Sequence, residues 1–201
     1  MPPNIVFSKE QIINTAFEIF REEGINGISV RKLAVRLNSS TAPIYTSFKN
    51  IEEIKELLLE KSLKLLLTYT QQKYTSHVFL NIGVGMLEFA RDYKIIYKTL
   101  FMENSDNQHI LKEFNRENLI QMKKEKGLLI FEEQDLKIMI DKLCVYTHGL
   151  AAFLCAGMLE DDSKEDFINE LQEMGGYVIG AIAFNKGLID KYCMGTGERG
   201  L

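Results

Sequence analysis

Cysteine is scarce and unpaired in this chain: three residues in 201, Cys144, Cys155 and Cys193, with no paired spacing. An odd, scattered set excludes a disulfide scaffold and reads as buried thiols in a reducing compartment. Proline is equally rare, at three residues, and with 46% hydrophobic and 26% charged residues the composition excludes disorder and collagen. No apolar run reaches membrane length: Leu143 to Leu159 is 17 uncharged residues, interrupted by Thr147 and His148, where about 20 are required. No basic segment precedes an apolar one at the N-terminus, so no signal peptide is expected and the cytoplasm is the default location.

Acidic residues are missing from one stretch in particular. The net charge is −4, yet the first 50 residues carry six basic and four acidic groups. Gly24 to Ile51 holds no acid at all. A surface facing a polyanion explains this window, and so does chance in a short segment.

What is present is helical periodicity from end to end. Ser8 and Gln11 form a capping box ahead of Ile12, Ile13, Ala16, Phe17 and Phe20, which predicts a helix over 9–23 with Gly24 as its left-handed stop. Ser29 caps a short second helix with Val30, Leu33, Ala34 and Leu37 inward and Arg31, Lys32 and Arg36 outward. Asn38 suits a sharp turn through positive φ. Ser40 is then expected to cap a third helix that accommodates Pro43 in its first turn. Asn50 and Glu53 make another capping box for a fourth helix of some 21 residues, about 30 Å long. Further helices are expected near 76–91, 93–102, 107–125, 133–159 and 163–186, with no convincing strand pair.

The second and third helices, joined by a short turn, have helix-turn-helix form. Small and hydroxylated residues at 40, 41, 42, 46 and 47 leave room for a close approach to a major groove, while Ile44 and Phe48 face inward. Simple packing of a helical hairpin accounts for the same pattern. The segment from Phe17 to Ile54 resembles the N-terminal domain of the TetR family of bacterial transcriptional repressors. The matching residues are Ala16-Phe17, Phe20 and Gly24, then Ser29-Val30-Arg31-Lys32-Leu33-Ala34, then Ser40 with Ile44-Tyr45, and finally Phe48-Lys49-Asn50 before Glu52-Glu53-Ile54. Asn38 stands where the family usually has Gly, Ser39 where it has a small apolar residue, and Ile51 where a Lys usually contacts a phosphate.

The resemblance implies an all-α chain: a three-helix DNA-binding domain over 1–50, joined by a long fourth helix to a larger ligand-binding and dimerisation domain over 51–201, about nine helices in total. It implies DNA contacts from Arg31, Ser40, Thr41, Ala42, Pro43, Tyr45, Thr46, Ser47 and Lys49. It also implies a homodimer on a roughly palindromic double-stranded operator, packed through Gly149, Ala152, Ala156, Gly176, Gly180 and Ala183, for which packing within the chain is the alternative. Phe89, Tyr93, Tyr97, Phe101, Met122, Tyr146, His148 and Phe153 fall on helices that would surround a small, largely apolar or aromatic effector. A plain core stripe explains each of them singly.

Enzymatic chemistry has little support, and neither a cofactor nor a metal is expected. His77, His109 and His148 lack a carboxylate or cysteine at metal-binding or nucleophile-base spacing. Gly195 to Gly200 has the letters of a dinucleotide-binding motif but is followed by no helix. A helical binding or adaptor module that never touches DNA is the competing reading.

Overall fold

The computed structural model describes residues 7–103 and 108–191, with side chains omitted at 108–111. Cys193 and the glycine motif of the tail lie outside the described residues, as does the Asn104–Asn107 break. The described residues form nine α-helices, α1 Lys9–Glu23, α2 Val30–Arg36, α3 Ala42–Ser47, α4 Ile51–Thr70, α5 Val78–Asp92, α6 Lys94–Phe101, α7 Gln108–Met122, α8 Glu133–Ala156 and α9 Lys164–Asn185. They contain no strand.

Local chemistry sets most of these boundaries. The Ser8 hydroxyl accepts from the Gln11 amide at 3.1 Å, and the Gln11 side chain accepts from the Ser8 amide at 2.8 Å. Gly24 ends α1 with φ 81° and ψ 171°, a positive φ outside the left-handed helical well that its sequence position suggested. Ser29 caps α2 by accepting from Lys32 N–H at 3.2 Å. One expected cap moves: Thr41, not Ser40, is the cap residue of α3, and it makes no side-chain cap bond. Pro43 in the first turn needs no donor there. Asn50 accepts from Glu53 N–H at 2.9 Å, but the Glu53 carboxylate returns to the Lys49 amide, one residue before the cap.

The chain packs as two compact units. The first comprises residues up to Leu65 together with α6; the second comprises 66–92 and 108 onward. The packing boundary thus falls within α4, whereas the sequence suggested a division at residue 50. In the first unit, α1 is buried through Ile12, Ala16, Phe17, Ile19 and Phe20. Tyr93 stacks near Phe17, with ring centroids 6.4 Å apart, and Arg21 lies over the Tyr93 ring. In the second unit α5 is central, packed by α7, α8 and α9. Nine of its fifteen residues are buried. α8 is long and apolar enough to cross a membrane, but it begins at Glu133 and includes Asp135, Lys137, Asp141 and Lys142. Met139, Ala151 and Leu154 on α8 are buried inside the unit.

Gly85 marks the tightest crossing in that unit. A Cβ there would lie 2.3 Å from the Tyr69 carbonyl oxygen, a backbone atom that cannot yield as a side chain does. Gly85→Ala is expected to destabilise the protein by about 1–3 kcal/mol despite alanine's better helix propensity. Gly175→Ala on α9, where a new Cβ meets nothing within 4 Å, is expected to be neutral or slightly stabilising. Thermal unfolding of the pair checks this: equal melting temperatures would contradict the close crossing.

Candidate nucleic-acid interface and ligand cavity

The α2–α3 corner is shaped by one residue with positive φ, Asn38 at 49°. A six-residue helix has almost no intrinsic stability, so α3 depends on its anchors. Ile44, 1% exposed, and Phe48, 3% exposed, supply them. With that face inward, Ser40, Thr41, Ala42, Tyr45, Thr46 and Lys49 are exposed, and Pro43 and Ser47 are half-buried. Arg31 is exposed on α2. The nine expected contact residues thus lie on α2, on α3 or in the segments flanking α3, all in the first unit, and none is buried. The Thr46 hydroxyl donates to the Ala42 carbonyl at 2.9 Å, leaving its oxygen free to accept.

Two of the three outward cations of α2 are tied off. Lys32 pairs with Glu23, and Arg36 with Glu22. The hydrogen bond from Arg36 holds the Glu22 carboxyl below its ordinary range. Both acids sit at the end of α1, immediately before the acid-free window, and their pairing was not legible in it. Arg31 and Lys49 form no ion pair among the described residues. Surface pairs of this kind add little stability, and their effect here is on charge: they concentrate the available positive potential at the α2–α3 corner.

The second unit holds a partly open cavity of about 1210 Å³. Phe79, Ile82, Gly83 and Met86, at helical spacing on α5, form one wall, with Phe114 and Asn118 of α7, Ile140, Leu143 and Thr147 of α8, and Leu171, Gly176, Ile179 and Gly180 of α9 opposite. None of the eight residues expected around a ligand lines it. Tyr93 precedes α6, and Tyr97 and Phe101 lie on it; the helix packs on α1 in the other unit. The Tyr97 and Phe101 rings sit 4.9 Å apart. Phe89 is fully buried against Tyr69, and Met122 is fully buried in the core cluster with Leu128, Phe131 and Met139. Tyr146 donates to Glu170 at 2.8 Å, and Phe153 is 51% exposed. These aromatic positions share helical spacing in the sequence but no common space in the fold. The 79, 82, 83, 86 stripe of α5 was the signal that could have found the cavity.

The small-residue set also divides. Gly149, Ala156 and Gly176 are exposed, Ala152 and Gly180 are half-buried, and Gly176 and Gly180 lie on the cavity wall. Ala183 is the correction: at 0% exposure within the core cluster, it has no surface to offer a partner. Val145 on α8 and Tyr177 and Phe184 on α9 are large apolar side chains left exposed beside the small residues.

An all-helical chain with an anchored helix-turn-helix at its N-terminus and a cavity-bearing helical unit after it defines the class. Residues 12–58 match the family described as bacterial regulatory proteins, tetR family. The chain is 24% identical over 94 residues to an HTH-type transcriptional regulator of Staphylococcus aureus (strain MRSA252), covering 46% of this chain and 51% of that protein. It is also 24% identical over 113 residues to an uncharacterized HTH-type transcriptional regulator, YobS, of Bacillus subtilis (strain 168), covering 54% and 59%. The chain thus spans little more than half the length of these relatives. A TetR-like transcriptional regulator from Rhodococcus sp. RHA1 shares the fold, with a TM-score of 0.58 at 13% identity over 91% of this chain and 98% of that one.

His148 has a pH consequence. Burial pushes its pKa from 6.5 down to about 4, so the folded protein holds the imidazole neutral at pH 7. The unfolded chain takes up a proton below about 6.5 that the folded chain refuses until about 4. Stability is therefore full above pH 6.5 and falls as pH drops from 6.5 to 4, by about 3 kcal/mol. Urea unfolding across this window is expected to show that slope, and His148→Gln to flatten it; an unchanged slope in the variant would place the titration elsewhere.

Proposed function

We propose that the chain is a homodimeric, DNA-binding transcriptional regulator that responds to a small molecule held in the cavity of its second unit. The observation that carries the reading is the α2–α3 corner, where a short helix anchored by Ile44 and Phe48 presents small and polar residues beside two cations that no acid neutralises. On a double-stranded operator, Thr41, Ala42, Pro43 and Thr46 approach base edges, and Ser40 stands at the start of the reading helix. Arg31, Tyr45, Ser47 and Lys49 hold phosphates and set the register. No Arg or Asn lies on the exposed part of α3, so bidentate recognition of guanine or adenine is absent there. Discrimination between sequences is modest and supplemented by duplex shape.

Two copies are needed to meet two half-sites, and the exposed apolar stripe of α8 and α9, with Val145, Phe153, Tyr177 and Phe184, offers a face for pairing. The ligand acts through a difference in affinity: a molecule that binds the free protein more tightly than the operator-bound protein releases the DNA, and by linkage DNA weakens the ligand. Release by ligand makes the protein a repressor.

Fluorescence anisotropy on the protein's own upstream intergenic duplex, with a scrambled duplex for comparison, tests the docking. Affinity for the first is expected to exceed that for the second and to fall steeply with salt. Arg31→Ala is expected to lower the slope of log affinity against log salt by about 1, and Tyr45→Ala to weaken binding about tenfold. Weak, salt-insensitive binding to both duplexes would favour a ligand-binding module without DNA affinity.

A further inference from the structure

Charge is unevenly placed around the cavity of the second unit. Among the described residues its wall includes two carboxylates, Glu125 and Glu173, and no Lys or Arg, in a chain with 24 such cations. Glu125 is held in place: one oxygen accepts from the Val78 amide at 2.6 Å and the Phe79 amide at 3.4 Å, at the start of α5. The other lies 3.7 Å from His77 Nδ1. The N-terminus of α5 would attract an anion, and Glu125 already occupies it. Glu173 accepts from the Tyr177 hydroxyl at 2.5 Å.

A second, independent feature faces the same space. Asn118, on α7, is only 6% exposed and lines the cavity. A carboxamide on a mostly apolar wall carries both donors and an acceptor, and can bond a polar group that enters. Phe79 and Phe114 add aromatic surface to the wall.

We propose that this cavity selects a monocationic molecule with an aromatic or alicyclic body, oriented by a hydrogen bond to Asn118 and by the Glu125 carboxylate, and discriminates against anions. The proposal rests on the effector reading above and narrows it. A cation leaving water for this wall meets compensating carboxylates and aromatic faces. A carboxylate or phosphate meets no Lys or Arg and no open helix N-terminus among the described residues, and the one histidine, His77, already faces Glu125, so much of its lost hydration goes unreplaced.

Three probes on one fluorophore provide the test: dansylcadaverine as cation, dansylamide as neutral molecule and dansylglycine as anion. The cation is expected to bind at least about tenfold more tightly than the anion, with the amide between them. Glu125→Gln keeps the acceptor that caps α5 while removing the charge, and is expected to bring cation and anion within about threefold. Glu165→Gln, the same charge change on the exposed first turn of α9, is expected to leave the gap intact. Asn118→Leu is expected to weaken all three probes severalfold. Equal or tighter binding of dansylglycine, or an unchanged gap in Glu125→Gln that circular dichroism shows to be folded, overturns the proposal while leaving the effector reading in place. Failure of all three probes to bind overturns both, and the anisotropy assay then decides separately whether DNA binding stands.

Discussion

A helix of six residues cannot hold itself, and the functional reading of this chain depends on how α3 is held. Ile44 and Phe48 are nearly without solvent exposure, and Asn38 turns the chain so that they can reach the interior. Once those two side chains are buried, helical spacing leaves no choice for the others: Thr41, Ala42, Tyr45 and Thr46 must face outward. The proposed recognition surface is therefore a by-product of packing, and its precision is set by two apolar anchors rather than by the polar residues that would touch DNA. Loss of either anchor would release the helix without altering any contact residue.

Acidic side chains repeatedly tie off positive groups in this molecule, and what they leave untied matters as much as what they hold. Glu22 and Glu23 take Arg36 and Lys32, so Arg31 and Lys49 remain at the α2–α3 corner. Glu125 takes the amides that open α5, so that helix end is closed to an anion in the cavity. Each pairing contributes modestly to stability, yet each defines the sign of a surface. The same device thus leaves a positive corner on one unit and a negative wall in the other.

Local signals were legible in the sequence, and choices between distant partners were not. The capping pairs Ser8–Gln11, Ser29–Lys32 and Asn50–Glu53 involve residues three apart, so their chemistry can be read from adjacent letters. The positive φ of Asn38 follows from what an asparagine tolerates. The cap of α3 was misplaced by one residue because Ser40 and Thr41 are both plausible there, and neither bonds the helix. Apolar periodicity says that Tyr97 and Phe89 face inward but not which neighbour covers them: α6 went to α1, whereas α5 went to α7, α8 and α9. Ala183 likewise faces a core that only the folded chain defines. The cavity was hidden for the same reason, since its walls come from four helices and its most telling residue, Asn118, is ordinary in sequence and notable only for what surrounds it.

The central claim is that the exposed face of α3 docks, in pairs, into the major groove of a duplex. Hydroxyl-radical footprinting on the upstream intergenic duplex tests it directly. The account predicts two protected segments related by a dyad, their centres about 34 Å apart or a multiple of that along one face of the helix, both lost together in Arg31→Ala at limiting protein. A single protected segment, or none at protein concentrations that saturate the duplex in anisotropy, would contradict it.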